Sequence, residues 1–345
     1  MEVAFILEKL ILVVIVFVIT LVIAMYSTLA ERKIAGFMQD RHGPDRAGIF
    51  GLLQPLCDGG KFFFKEEIIP AYAHKTLFVL GPVIAIITAC ITSAVIPWGQ
   101  ELTIGDRTVS LQVADVNIGV LYVFGVIALG VYGIMLGGWA SNNKFALMGA
   151  IRAASQSISY EIGMGLSLIA LLMVTGTLSV GEIVAQQSGF VNWNIWVQPL
   201  GFLIFITCAF AECNRVPFDL PECETELVGG YHTEYSSMKL GLYMFSEYIN
   251  MFVSSALMAS LYFGGYNFPF MYDLGLSSNW ITIIGVIVFF LKIFGFIFFF
   301  MWIRWTLPRF RYDQLMNLGW KVLIPLAIAN IVLTGVFSII KDTYF

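Results

Sequence analysis

Six carboxylates, one arginine and one histidine are gathered into residues 211–235, AECNRVPFDLPECETELVGGYHTEY, between two long apolar segments. The acids are Glu212, Asp219, Glu222, Glu224, Glu226 and Glu234, set against Arg215 and His232. Such groups can pass protons, bind cations or hold a charged partner. Carboxylates at a membrane border are costly enough to mark pathways of this kind, which singles out Glu212 beside Arg215. For Glu222, Glu224 and Glu226 a plainer role is equally open, that of capping and solvating a loop helix. Pro217 and Pro221 cannot sit inside a regular helix, so the helix ending in Glu212 is expected to stop near Arg215. Pro221 suits the first position of a short helix whose positive end Glu222 and Glu224 would face, and Gly229-Gly230 would end it.

Two more carboxylates stand on apolar segments. Ser157, Glu161 and Gly165 fall four apart, and Glu247, Asn250 and Ser254 also share one helical face. With Glu212 they make three acids on three helices at similar depth, which favours a proton or cation path over isolated structural hydrogen bonds. Burial would suit them to exchange protons near neutrality. Lys292 lies too deep for easy snorkelling, so it is expected to face the protein and pair with an acid.

The elements that hold these groups follow from composition. With 59% hydrophobic and 12% charged residues over 345 positions, the chain falls in the range of multi-pass membrane proteins. Nothing supports a nucleic-acid role. Cys57, Cys90, Cys208, Cys213 and Cys223 show no CxxC spacing, so no metal or iron-sulfur cluster is expected. Thr28-Leu29-Ala30 resembles a cleavage site, but Glu2 and Glu8 and the length of the apolar run argue for a retained first helix.

Apolar stretches long enough to cross about 30 Å of hydrocarbon occur near 8–30, 76–97, 117–139, 157–178, 195–213, 241–263, 280–304 and 319–340. The predicted fold is therefore an all-α membrane protein of eight transmembrane helices, a single polytopic domain over residues 1–345. Fifteen of the nineteen Lys and Arg fall in the loops near 31–75, 140–156, 214–240 and 305–318 or at their borders. The positive-inside rule places those loops in the cytoplasm and both termini outside. Within the first loop, Gln54, Asp58, Lys61 and Lys65 share one face, with Leu52, Leu53, Leu56, Phe63 and Phe64 beside them. This predicts an amphipathic interfacial helix.

Four segments then identify a family. ERKIAGFMQDRHGPDRAG with GLLQPLCDGGK (31–61), GWASNNKFALMGAIRAASQSISYE (138–161), AECNRVPFDLPECETELVGGYHTEYSSM (211–238) and RWTLPRFRYDQLM (304–316) resemble the cytoplasmic segments of the H subunit of respiratory complex I, the proton-pumping NADH:quinone oxidoreductase. The resemblance implies the membrane end of a quinone chamber and a link from quinone reduction to proton translocation. It implies that Glu31, Arg32 and Asp58 line the quinone path. It assigns Arg215, Asp219, Glu222, Glu224, Glu226 and Glu234 to an acidic loop, and Glu161, Glu212 and Glu247 to an intramembrane acidic track. Arg304, Arg309, Arg311 and Asp313 match the last cytoplasmic loop, and Lys292 matches a family lysine. Pro221 and Cys223 depart from the small residue and glycine expected there, and Glu67 stands where the family has proline.

Implied partners are peripheral-arm iron-sulfur subunits, the quinone-site subunit, and small membrane-arm subunits leading to antiporter-like ones. Quinone would be a substrate at a shared site. The implied location is a bacterial inner membrane, with the mitochondrial inner membrane as the alternative. A sister hydrogenase-type subunit would lack the first-loop match; a secondary transporter would show internal repeats that this chain lacks.

Overall fold

The computed structural model describes residues 2–105, 107–222, 224–271, 275 and 277–344. Its long helices are α1 (Glu2–Met38), α3 (Lys75–Thr92), α4 (Gly119–Ala140), α5 (Lys144–Thr175), α8 (Pro199–Glu212), α10 (Ser237–Tyr262), α11 (Ser278–Thr306) and α13 (Ile324–Tyr344). Shorter ones are α2 (Gln54–Phe64), α6 (Val180–Gln186), α7 (Asn194–Val197), α9 (Glu224–Leu227) and α12 (Tyr312–Asn317). All eight apolar stretches are thus helical. A π-helical turn, Leu318–Leu323, joins α12 to α13.

Among the described residues, six helices are long and apolar enough to cross a membrane on their own. The other two differ for physical reasons. Helix α8 has only 14 residues, a rise of about 21 Å; it is prolonged by α7 across a break at Gln198-Pro199. Helix α10 has 26 residues but carries Ser246, Glu247, Asn250, Ser254, Ser255 and Ser260. It tolerates them because it is the interior helix, packed on α1, α3 and α11. An interior helix faces protein on several sides and needs no apolar stripe toward lipid.

Several boundaries move from expectation. Residues 144–156, expected in a loop, are the first turns of α5. Its N-cap is Asn143, whose side chain accepts from the Phe145 amide at 2.8 Å, and the Ala-rich sequence that follows is a good helix former. The helix ends at Gly176, φ 68°, a left-handed cap that glycine adopts without strain. Residues 31–38 likewise prolong α1. Helix dominates, in keeping with the all-α expectation, and is joined by a two-stranded antiparallel hairpin, β1 (Glu101–Ile104) and β2 (Arg107–Ser110). Asn279 at the start of α11 pins it, its amide both accepting from and donating to the Thr103 backbone.

The acidic stretch folds differently from the sequence expectation. Helix α9 is one turn and begins after Pro221 and Glu222, so neither belongs to it. The chain reverses at Val228 (φ 67°) and Gly230 (φ 58°), whereas Gly229 has φ −156°. A Cβ at Gly230 would lie 1.7 Å from the Pro221 carbonyl oxygen, so the reversal closes tightly on the residues before α9. Glu222 is thereby turned inward rather than solvated.

Candidate functional site

Two cavities flank α10. The first, of about 460 Å³, lies between α1, α2 and α10 and is lined by Glu31, Arg32, Arg41, Asp58, Tyr248 and Trp305 among others. Asp58 accepts from Arg32 at 2.7 Å and from Gln54, one turn back on α2, at 3.2 Å. This ties the amphipathic helix to the end of α1. Glu31 is 7% exposed and is held from three elements: Arg304 of α11 at 2.5 Å, Arg215 at 3.4 Å, and the Tyr248 hydroxyl of α10 at 2.9 Å. The Arg215 guanidinium also stacks over the Tyr248 ring at 4.1 Å. One carboxylate among two buried or half-buried guanidiniums leaves positive charge in excess, so other acids are needed nearby.

The acidic loop supplies them. Asp219 accepts from Arg309 at 2.6 Å. Glu222 approaches His232 at 3.4 Å, an ion-pair distance without hydrogen-bond alignment, since its Oε1 has no aligned donor among the described residues. Burial, reinforced by the Glu222 charge, raises the Asp219 carboxyl to about 6 despite Arg309 and Arg304. For Glu222, burial works against ionisation, but the His232 imidazole and then Arg215 hold the carboxyl below its usual range. The two acids divide their roles: the Glu222 carboxyl is held below its usual range, whereas the Asp219 carboxyl is raised to about 6.

The loop is fastened at three anchors, two on the α5 side and one on α3. Glu234 accepts from Asn143 at 2.5 Å and Glu226 from Arg152 at 2.7 Å, both partners on the α5 side. A Cβ at Gly149 of α5 would stand 2.5 Å from the Tyr231 backbone nitrogen, so helix and loop touch backbone to backbone. Helix α3 offers the third anchor. Pro82 cannot donate to the Phe78 carbonyl one turn back, and the Tyr235 hydroxyl does so instead at 3.0 Å, its ring stacked on Phe78 at 4.1 Å. The side chain of Glu224 and residue Cys223 lie outside the described residues.

The second cavity, about 60 Å³, lies on the other side of α10. Glu212, Glu247, Ser157, Asn214, Asn250 and Ser254 contribute to one end; the polar stripe read on α10 therefore faces a chamber. Tyr231 donates to Glu247 at 3.0 Å. The Glu212 Oε2 is buried without a partner among the described residues. Glu161, on α5, is close enough for its charge to act on Glu212, although it does not line the chamber. Glu247 and Tyr248 are consecutive on α10 and point about 100° apart, so α10 presents one to each cavity.

Lys292 corrects an expectation. Its ammonium donates to the carbonyls of Phe263 (2.7 Å), Gly265 (2.8 Å) and Asn267 (2.6 Å) and lies 4.7 Å from the Trp193 ring centre. Three carbonyls use its three protons, and no acid among the described residues pairs with it. Arg311 and Asp313 are exposed at the start of α12 and join neither cluster. Three contributors carry little signal in the sequence. Tyr248 is masked by Glu247 beside it, and Tyr231 looks like an ordinary loop residue. Gln156, fully buried, donates to the Ala211 and Phe218 carbonyls at 2.7 Å each, and a lone glutamine gives no hint of that role.

This sequence matches the family described as NADH dehydrogenase over residues 10–335. It is 69% identical over 333 residues to H subunit 1 of the NADH-quinone oxidoreductase of Cytophaga hutchinsonii, covering 96% of this chain and 97% of that one. Against the NADH-quinone oxidoreductase H subunit of Flavobacterium psychrophilum the identity is 63% over 338 residues, covering 97% and 98% of the two chains. For its counterpart in Flavobacterium johnsoniae it is 61% over 345 residues, covering 99% and 98%. With paired ionic cavities on either side of an interior helix, and likeness along nearly its whole length, the chain belongs to the H-subunit family of NADH-quinone oxidoreductase and is a membrane component of that oxidoreductase complex.

Proposed function

We propose that this chain forms the membrane wall of the quinone chamber and converts the charge change of quinone reduction into protonation changes in the acid chamber. The observation that carries the proposal is the position of Glu31. It lines the larger cavity with Arg32 and Asp58 and is also bonded to Arg215, which neighbours Glu222 and Glu247. A quinone enters laterally from the bilayer between α1, α2 and α10. Electrons come from an iron-sulfur cluster of a neighbouring peripheral-arm subunit. Each two-electron reduction takes up two protons, and negative charge appearing in the cavity competes with Glu31 for Arg215 and Arg304. The Glu222 and Glu247 side then loses part of its compensating charge and must bind protons or rearrange.

In this reading Glu161, Glu212 and Glu247 hold the protons, and Asp219, Glu222, Glu226 and Glu234 keep the loop in register with the quinone cavity. Glu224 belongs to the same acidic loop. Arg304, Arg309, Arg311 and Asp313 form the last cytoplasmic segment, which faces the peripheral arm. Eight crossings, a bacterial inner membrane and outward termini complete the arrangement, with the acidic loop on the cytoplasmic side. Small membrane-arm subunits carry the signal on to antiporter-like ones. Replacing Asp58 by Asn in the assembled complex tests the quinone side. We expect a several-fold rise in the apparent KM for quinone and weaker quinone-site inhibition, with the complex still assembled. Unchanged quinone kinetics would remove Asp58 from the path.

A further inference from the structure

The chamber that holds Glu212 and Glu247 changes character along its length. On α10 the residues facing it run Glu247, Asn250, Ser254, Leu257, Leu261, each three or four apart on one face. Helices α5 and α8 follow the same order. Ser157 and Glu212 stand at the loop end, whereas Met164, Leu168 and Phe205 lie further along. Val120 and Val123 of α4 and Val180 of α6 close the far end. Thr88 and Thr92 of α3 are polar by type, but their hydroxyls donate to carbonyls one turn back, at 2.8–3.0 Å. They give this cavity no free donor.

A water molecule needs about 10–15 Å³ and two to four polar partners, and an apolar cavity stays dry. The chamber has room for only a few waters, and the lining groups with protons to spare or an unmet acceptor, among them the Glu212 Oε2, lie at the loop end. From Ser254 to Leu261 the helix rises about 10 Å along a wall whose hydroxyls, those of Thr88 and Thr92, already spend their protons on α3 carbonyls. We propose that Val120, Val123, Leu168, Val180, Leu257 and Leu261 form a dry stop that closes the acid chamber against the opposite membrane face. Protons that reach Glu212 and Glu247 therefore leave sideways or back toward the loop, not straight across this subunit. The inference rests on the proposed proton-holding role of those acids and assigns the residues that insulate them.

The test is passive proton leak in vesicles containing the whole purified complex, without NADH, under an imposed potassium diffusion potential with valinomycin. Leu257→Asn puts a hydrogen-bonding group into the stop. Val123→Asn, on α4, puts a hydrogen-bonding group into the same stop from a second helix and serves where Leu257→Asn prevents assembly. Leu257→Met is the apolar control. The expected result is a several-fold faster proton leak for the hydrated variants, none for the control, and a quinone reductase rate close to that of the parent. Hydrated variants that assemble, reduce quinone and remain as tight as the parent would overturn the dry stop. Measuring pumping by Glu212→Gln in parallel separates the two claims. Tight hydrated variants with pumping lost in Glu212→Gln refute only the stop, whereas pumping retained in Glu212→Gln refutes the proton-holding role itself.

Discussion

At the scale of single residues, Arg215 is the group on which the two cavities depend. It is 6% exposed, and its Nε and Nη2 have no hydrogen-bond partner among the described residues, so its charge is balanced through Glu31, Tyr248 and the nearby acids. Removing one partner of a buried ion pair typically costs about 3–5 kcal/mol. Arg215→Met is therefore expected to lower the thermal stability of the assembled complex markedly. Arg152→Ala, which loses only the half-exposed pair with Glu226, should cost about 1 kcal/mol or less. Equal losses in a thermal-shift comparison would contradict this ranking.

Asp219 gives a pH-dependent readout on the same scale. Its carboxyl is raised by burial from the ordinary 3.8 to about 6, so the folded loop holds a proton that the unfolded chain has released. That contribution to loop docking is complete below about pH 3.8 and is lost as pH rises through about 6. Backbone hydrogen exchange of residues 213–236 should accelerate between pH 4 and 7, after correction for intrinsic exchange. Asp219→Asn should flatten that trend, and an unaltered trend in this variant would locate the titration elsewhere. The sequence announced the acids of this loop but not their division of labour, because burial and the closeness of Glu222, His232 and Arg309 arise only from the reversal at Val228 and Gly230.

Among the elements, the docking of the acidic loop rests on a bond made necessary by a proline. Pro82 leaves the Phe78 carbonyl without its helical donor, and Tyr235 from the loop replaces it. Tyr235→Phe leaves that buried carbonyl unsatisfied, at a cost of about 1–3 kcal/mol. The expected result is faster limited proteolysis of residues 213–236 with the bundle otherwise intact. A proteolysis rate equal to the parent's would show that the stacking on Phe78 suffices.

Lys292 plays a similar part at the other end of α10. Lys292→Met would strand the carbonyls of Phe263, Gly265 and Asn267. It should lower thermal stability while leaving the quinone KM unchanged, and a change in KM at parental stability would contradict a structural role. The helices themselves were legible from apolar runs, since each of the eight stretches is helical, the one at 195–213 with a break at Gln198. The lysine's partners were not, because backbone carbonyls have no sequence signature. The hairpin at 101–110 was missed for a related reason. Four-residue strands carry too little alternation to stand out, and Asn279, which pins β1, is 176 positions away from Thr103.

For the molecule as a whole, the arrangement is two cavities divided by one polar interior helix. The larger holds Glu31, Arg32, Asp58 and Tyr248; the smaller holds Glu212 and Glu247; Arg215, bonded to Glu31 and near Glu247, links them. The order of motifs along the chain made the family readable, and the stripe of Glu247, Asn250 and Ser254 foretold a polar face. That α10 separates two chambers was not readable, because periodicity gives one face at a time and Tyr248 belongs to the other. In the proposed mechanism, charge in the larger cavity is answered by protons in the smaller. Its most direct test is Glu212→Gln in the whole purified complex reconstituted in vesicles, with NADH:quinone reductase rate and proton uptake recorded together. The expected result is an assembled complex that pumps several-fold fewer protons per electron pair or loses inhibitor-sensitive turnover along with pumping. Full turnover with the parental proton stoichiometry would contradict it.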